Sequence, residues 1–276
     1  MKKAKRILVL FMACLTMMLA MVGCATDNGG EGGSEVEAED MGLLKSGELK
    51  VAMEIGYPPF EFYADDGVTE LGFDVDMAKA IGEIMGVDVV FENTVFDGIE
   101  DGLATDRYDC VISAFTITGA RMEKVDFSHA YIENWQSIVI KRGGTPVTSV
   151  EELNGLNVGF QEGTTSREYI DELMADGTVD CTVHPFDSMV NAFDDLKLGR
   201  LDAVLVDSTV AEGYLAREEE SYEMSWIQSD DENAEPELFA IAVKKGNEEL
   251  LKAINAAMKI LEENRTMENL RFEWLA

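Results

Sequence analysis

The chain has 276 residues and a formal net charge of −32, from 22 Lys and Arg against 54 Asp and Glu. So acidic a surface repels nucleic acid and anionic lipid headgroups, which excludes nucleic-acid partners; the acidity itself concerns solubility and marks no site. The two histidines, His129 and His184, offer no metal-ligand pattern, so neither a metal nor a cofactor is expected.

Residues 1–23 read as a signal peptide. Lys2, Lys3, Lys5 and Arg6 form a basic start, and Ile7 to Val22 carries no charge. That run is too short for a membrane span and closes on small residues. Losing its four cations takes the charge from −32 to −36. The junction Met21-Val-Gly-Cys24 resembles the lipobox of bacterial lipoproteins, with Met21 in place of the commoner Leu. The resemblance implies lipidation of Cys24, a firm anchor because each buried methylene contributes about 0.8 kcal/mol. Residues 24–40 are rich in Gly, Ser, Asp and Glu and read as a flexible tether. Folding therefore starts near Met41 and leaves room for two lobes.

Gly47 to Met53 alternates as a strand does, and Tyr57-Pro-Pro-Phe60 stops it by fixing the backbone at its end. Glu54 sits at that tip beside aromatics, either as a solvated acid or as a site group. Ala64-Asp-Asp-Gly67 is a hairpin turn. Asp74 is expected to cap a helix carrying Val75, Ala78, Ile81, Ile84 and Met85, which Gly86 stops. Strands follow at Val87–Phe91 and Tyr108–Ser113, with a short helix led by Phe96 between them. This β-α-β-α-β rhythm predicts a mostly parallel sheet. Tyr57 and Phe96 are read as core aromatics or pocket walls. Ser113-Ala-Phe-Thr-Ile-Thr-Gly-Ala-Arg121 leaves the last strand as a loop at its carboxyl end, where α/β sheets bind ligands. Arg121 offers a planar fork of donors suited to a carboxylate. The alternative is a surface arginine with two turn threonines, Thr116 and Thr118.

Tyr131 to Val139 is apolar and extended, and Leu156–Phe160 is a strand. Gly163-Thr-Thr165 enters a helix whose N-terminus suits an anion, or Thr simply caps it. Val179–Val183 is a further strand. Leu196 to Asp207 then echoes Leu103 to Ala114, with Leu, Arg and Asp in register. The echo puts Asp207 at the second lobe's counterpart of Ala114, a carboxylate at a strand tip suited to an ammonium. Gln228–Pro236 reads as an acidic surface loop, Leu238–Lys245 as a strand and Asn247 as the cap of a penultimate helix. Cys110 and Cys181 are expected as separate buried thiols in different lobes.

In their order, Gly47-Glu-Leu-Lys-Val, Tyr57-Pro-Pro-Phe60, Gly72-Phe-Asp-Val-Asp76, Thr116-Ile-Thr118 with Arg121, Val125-Asp-Phe-Ser128 with Tyr131, Gly163-Thr-Thr165 and Gly199-Arg-Leu-Asp202 to Asp207 resemble the extracellular solute-binding proteins of family 3. These serve polar amino acid ABC importers. The resemblance implies an α/β, two-lobed periplasmic-binding-protein-like fold of type II with two crossover hinge strands. Lobe 1 would comprise 41–132 and 236–276, and lobe 2 would comprise 136–232. It also implies site roles. Arg121 would clamp a ligand α-carboxylate with help from Thr116 and Thr165. Asp207 and the Ala114 carbonyl would hold the α-ammonium, and Tyr57 and Phe96 would sandwich the side chain. Glu54 would read that side chain's end. The implied partners are a free polar or basic amino acid, an ABC importer permease and the membrane through the lipid anchor, with the protein a monomer. The sequence departs from the family at Thr118-Gly-Ala-Arg121 and Phe127-Ser-His-Ala-Tyr131. An enzyme on the same scaffold, dehydratase-like and acting on a small carboxylic or amino acid, is the alternative.

Overall fold

The computed structural model describes residues 41–276; the expected signal peptide, the expected tether and Cys24 lie outside them. In chain order the elements of lobe 1 are β1 (Glu48–Met53), β2 (Phe62–Tyr63), β3 (Glu70–Leu71), α1 (Phe73–Met85), β4 (Asp88–Asn93), α2 (Asp101–Ala104), β5 (Cys110–Val111), α3 (Gly119–Lys124) and β6 (Val125–Asn134). Lobe 2 carries β7 (Gln136–Lys141), β8 (Asn157–Gln161), α4 (Thr165–Ala175), β9 (Thr182–Phe186), α5 (Met189–Lys197), β10 (Ala203–Asp207), α6 (Ser208–Arg217) and β11 (Tyr222–Ile227). The chain returns to lobe 1 with β12 (Glu237–Lys244), α7 (Glu248–Glu263) and α8 (Thr266–Leu275).

Each lobe is built on a five-stranded sheet, in the order β4-β1-β5-β12-β6 and β11-β7-β10-β8-β9. In the first sheet four of the five strands run one way, as the rhythm predicts, and β12 alone runs against them. Strands β4, β1 and β5 run parallel, whereas β12 pairs antiparallel with both β5 and β6. The local rhythm of residues 47–113 does not contain the returning strand that makes the difference. The second sheet repeats this plan, with β10, β8 and β9 parallel and β7 antiparallel to β10. Strand β1 lies between two neighbours and is buried on both faces, at Leu49, Val51, Ala52 and Met53, as its apolar run requires. Helix α1 lays Phe73, Met77, Ala78, Ile81 and Met85 against the core and ends at left-handed Gly86, a conformation that glycine adopts without a Cβ penalty.

The echo between the lobes is physical. The Asp109 carboxylate accepts the Lys50 N–H at 2.8 Å, and the Asp202 carboxylate accepts the Asn157 N–H at 2.8 Å. Residues Asp106 and Gly199, in register three positions earlier, both take positive φ, 57° and 72°. Each lobe thus pins its central strand by the same turn and the same aspartate, and Ala114 and Asp207 occupy equivalent positions beyond it. The chain passes between lobes at Trp135, where β6 gives way to β7, and again between Ile227 and Glu237. The two thiols are free and sit in different lobes, Cys110 buried in β5 and Cys181 half-buried just before β9.

Candidate functional site

The guanidinium of Arg121 is the cation of the site. It lies in the short helix α3 rather than in a loop, because the Thr118 hydroxyl caps that helix by accepting the Arg121 N–H at 3.2 Å. The side chain is 7 % exposed. Its Nη1 donates to the Thr116 carbonyl at 2.8 Å, and its Nη2 crosses to lobe 2 and donates to the Gly163 carbonyl at 2.9 Å. The Phe115 ring lies 4.0 Å from the guanidinium carbon and the Phe96 ring 5.5 Å away. Burial lowers the arginine's pKa while the carboxylates of Glu100, Glu168, Asp207 and Glu237 oppose the shift; arginine stays charged in proteins under such pressure. Phe96 is itself buried and packs edge-on against Phe115. Thr116 meets Arg121 through its backbone oxygen.

Asp207 is the opposed anion. It ends β10 at the start of α6 and is 4 % exposed. Its Oδ2 accepts the Tyr57 hydroxyl at 2.6 Å, and its Oδ1 accepts Asn134 Nδ2 at 2.6 Å and Gln136 Nε2 at 3.2 Å. Burial, and after it the charge of Glu237, push this carboxyl up to about 7. A positive group placed beside it would restore its charge.

Around this pair stand the other expected residues. Ala114 holds a φ of 44°, and its N–H donates to Asp74 Oδ2 at 2.7 Å. Asp74 is therefore not the helix cap: Gly72 occupies that position, and the Asp74 carboxylate is spent on Ala114 and on the Tyr131 hydroxyl at 2.9 Å. Thr165 opens α4, and its hydroxyl donates to Glu237 at 2.9 Å. The preceding hydroxyl, Thr164, points back to the Gln161 carbonyl at 2.7 Å. That choice leaves the Thr165 and Ser166 N–H groups to a ligand or solvent, while the Arg167 N–H donates to the Thr164 carbonyl at 3.1 Å. Glu54 is 7 % exposed. Burial raises its pKa, against the pull of the Gln161 and Ser188 side chains of lobe 2.

Glu237 and Gln136 were not legible in the sequence as site residues. Gln136 Nε2 lies 3.1 Å from both Glu237 oxygens, and burial raises the Glu237 pKa. The boundary between the lobes thus gathers the carboxylates of Asp207 and Glu237 with the guanidinium of Arg121, while Glu54 is buried beside Gln161 and Ser188. Chemically the arrangement can clamp an anionic group on one side and a cationic group on the other, with aromatic walls between.

Two α/β lobes that share a buried, charged boundary and are joined by two chain passages define a two-lobed receptor for a small polar solute. Residues 49–276 match the family model for bacterial extracellular solute-binding proteins, family 3, and the chain belongs to that family. The chain is similar to the L-cystine-binding protein TcyJ of Escherichia coli (strain K12), at 32 % identity over 85 % of this chain and 86 % of that one. Among solved structures it is similar to an ancestral arginine-binding protein bound to arginine, with a TM-score of 0.77 and 38 % identity over 83 % of this chain and 99 % of that one. It is similar also to the ancestral amino acid-binding protein AncCDT-1, a precursor of cyclohexadienyl dehydratase, with a TM-score of 0.74 and 33 % identity over 83 % of this chain and 96 % of that one.

Proposed function

We propose that this protein captures a free polar or basic amino acid between its lobes and delivers it to an ABC importer on the outer face of the cell membrane. One observation carries the reading: Arg121 of lobe 1 and Asp207 of lobe 2 are both buried at the same boundary, and each hydrogen-bonds to the opposite lobe. An amino acid zwitterion offers the complementary pair. Its carboxylate meets Arg121 and the start of α4 at Thr165, and its ammonium meets Asp207 and the Ala114 carbonyl. Tyr57, Phe96 and Thr116 line the gap, and Glu54 faces the side chain. Charge-assisted hydrogen bonds contribute about 1.5–3 kcal/mol each, so the two ends and the packing together reach about −8 kcal/mol, a micromolar dissociation constant. Contacts from both lobes favour the closed arrangement when ligand is bound. The lipid anchor at Cys24 belongs to the same reading: it would keep a monomeric receptor beside its permease.

The test is a thermal-shift screen of the twenty amino acids with ornithine, citrulline and cystine. A bound ligand at 100 times its dissociation constant stabilises by about 2.7 kcal/mol. Arg121→Ala is the control: it abolishes the shift while the ligand-free melt stays cooperative. A variant that binds with near-native affinity would remove the arginine's role. The likeness to a dehydratase precursor keeps an enzymatic reading in view, and recovery of the bound amino acid unchanged after long incubation would count against it.

A further inference from the structure

Helix α6 contains a glycine that its own geometry does not require. Gly213 lies mid-helix and buried, at a site where alanine is the better helix former. Its φ is not among the positive values that oblige a glycine elsewhere in the chain. What it meets is the opposite lobe. A Cβ at Gly213 would stand 2.5 Å from the Pro58 carbonyl oxygen, 2.6 Å from the Pro58 carbonyl carbon and 2.7 Å from Pro59 Cδ. Backbone and ring atoms cannot swing aside as a long side chain does.

The neighbouring contacts run along the same seam. The Tyr214 hydroxyl, one residue on, donates to the Gly56 carbonyl at 2.9 Å. A Cβ at Gly56 would in turn lie 3.3 Å from Val190 Cγ2 of lobe 2. On another part of the boundary Gly163 lies close to Asp97, whose Cα would be 2.8 Å from an added Cβ, but there a φ of 77° already calls for glycine. Gly213 alone of the two is explained only by the approach of the lobes.

We propose that Gly213 is a positioning residue for ligand capture: its missing side chain lets the Tyr57–Phe60 turn of lobe 1 seat against α6, and so sets how far the lobes close around the Arg121–Asp207 gap. It need not touch the ligand. A methyl group here would hold the seam apart, and with it Tyr57, whose hydroxyl must reach Asp207 from that same turn. The proposal rests on the receptor reading, in which capture requires closure.

Gly213→Ala and Tyr214→Phe test it in the full chain. Ligand-free Gly213→Ala is expected to melt at or above the wild-type temperature, because the helix gains and the open lobes do not meet. A melting temperature several degrees below wild type would make the seam a permanent core contact and overturn the proposal, whatever ligand the protein takes. Binding is then measured with L-arginine, L-glutamine and L-cystine. For each probe that wild type binds, Gly213→Ala loses at least tenfold in affinity, and its scattering radius with saturating probe stays at the ligand-free value. Tyr214→Phe, which removes the cross-seam hydrogen bond without adding bulk, loses affinity by a smaller factor. Unchanged affinity in Gly213→Ala would overturn the proposal. If wild type binds none of the three probes, the receptor reading fails for those amino acids, while the ligand-free melt still decides the seam.

Discussion

The Tyr57 hydroxyl of lobe 1 donates to the Asp207 carboxylate of lobe 2 at 2.6 Å, across 150 residues of chain. The bond makes the buried anion of one lobe depend on the turn that ends β1 in the other. It also helps hold Asp207 ionised, against burial and the charge of Glu237, which push the carboxyl up to about 7. An ammonium placed there would complete that work. Proton release on binding follows from this balance.

The sign is fixed by linkage. Asp207 has a folded pKa of about 7, above the ordinary aspartate value near 3.9 that it has in the unfolded chain. With the lobes closed as here, the folded protein without an ammonium at Asp207 therefore binds more protons than the unfolded chain between those values. This group's contribution to stability is fully present below the unfolded value and is lost as pH rises through about 7. Binding an ammonium lowers the Asp207 pKa, so ligand expels a proton near neutrality, and affinity falls by up to roughly tenfold per pH unit well below 7. Calorimetry in buffers of different ionisation enthalpy should show the release. Glu237→Gln removes the charge that raises Asp207, and moves the onset of binding to lower pH. An affinity independent of pH from 5 to 8 would deny Asp207 the ammonium.

How much of this was written in the chain depends on the range of each contact. Asp207 was legible because the Leu-Arg-Asp echo carries a register, and the equivalent bonds of Asp109 and Asp202 show that register at work. Arg121 was legible from its place beyond a buried strand. Glu237 was not: it ends an acidic run that reads as surface, and it is drawn into the site by pairing across β12 and β6 with Asn134. Asp74 misled for the same reason. A carboxylate at a helix start has a local reading as a cap, and its true partners lie 40 and 57 residues away. What local pattern dictates was readable; what a distant strand or loop selects was not.

Glu54 tests side-chain specificity. Its carboxylate is buried near Gln161 and Ser188 of lobe 2, at the tip of β1 and apart from the Asp207 end. Glu54→Gln keeps the shape and removes the charge. It should weaken L-arginine by roughly 10- to 100-fold, the scale of a charge-assisted hydrogen bond, and L-glutamine far less. The ratio of the two affinities, measured side by side, is the readout. An equal loss for both would take the side-chain end away from Glu54.

Asp74 should prove to be the residue that holds Ala114 in its strained pose. A non-glycine residue in the left-handed region costs about 1–2 kcal/mol, and Ala114 keeps its φ of 44° while its N–H is fixed on Asp74. Burial pushes the Asp74 carboxyl up to about 7, beside Glu61, whose own carboxyl burial raises further with help from the Asp74 charge. Asp74→Asn imitates the protonated group, keeps an oxygen for the Ala114 N–H and should bind ligand nearly as wild type does. Asp74→Ala leaves that N–H buried and unmet at a cost of about 1–3 kcal/mol, and frees Ala114 to relax. Its melting temperature should fall by several degrees, at roughly 2–4 °C per kcal/mol for a fold of this size, and its affinity should fall with it. Ala114→Gly separates the two effects. Glycine takes positive φ without strain, so the carbonyl stays where the ammonium needs it, and both melting temperature and affinity should hold. A large affinity loss in Ala114→Gly with an unchanged melt would mean that the Ala114 methyl, and not its carbonyl, meets the ligand.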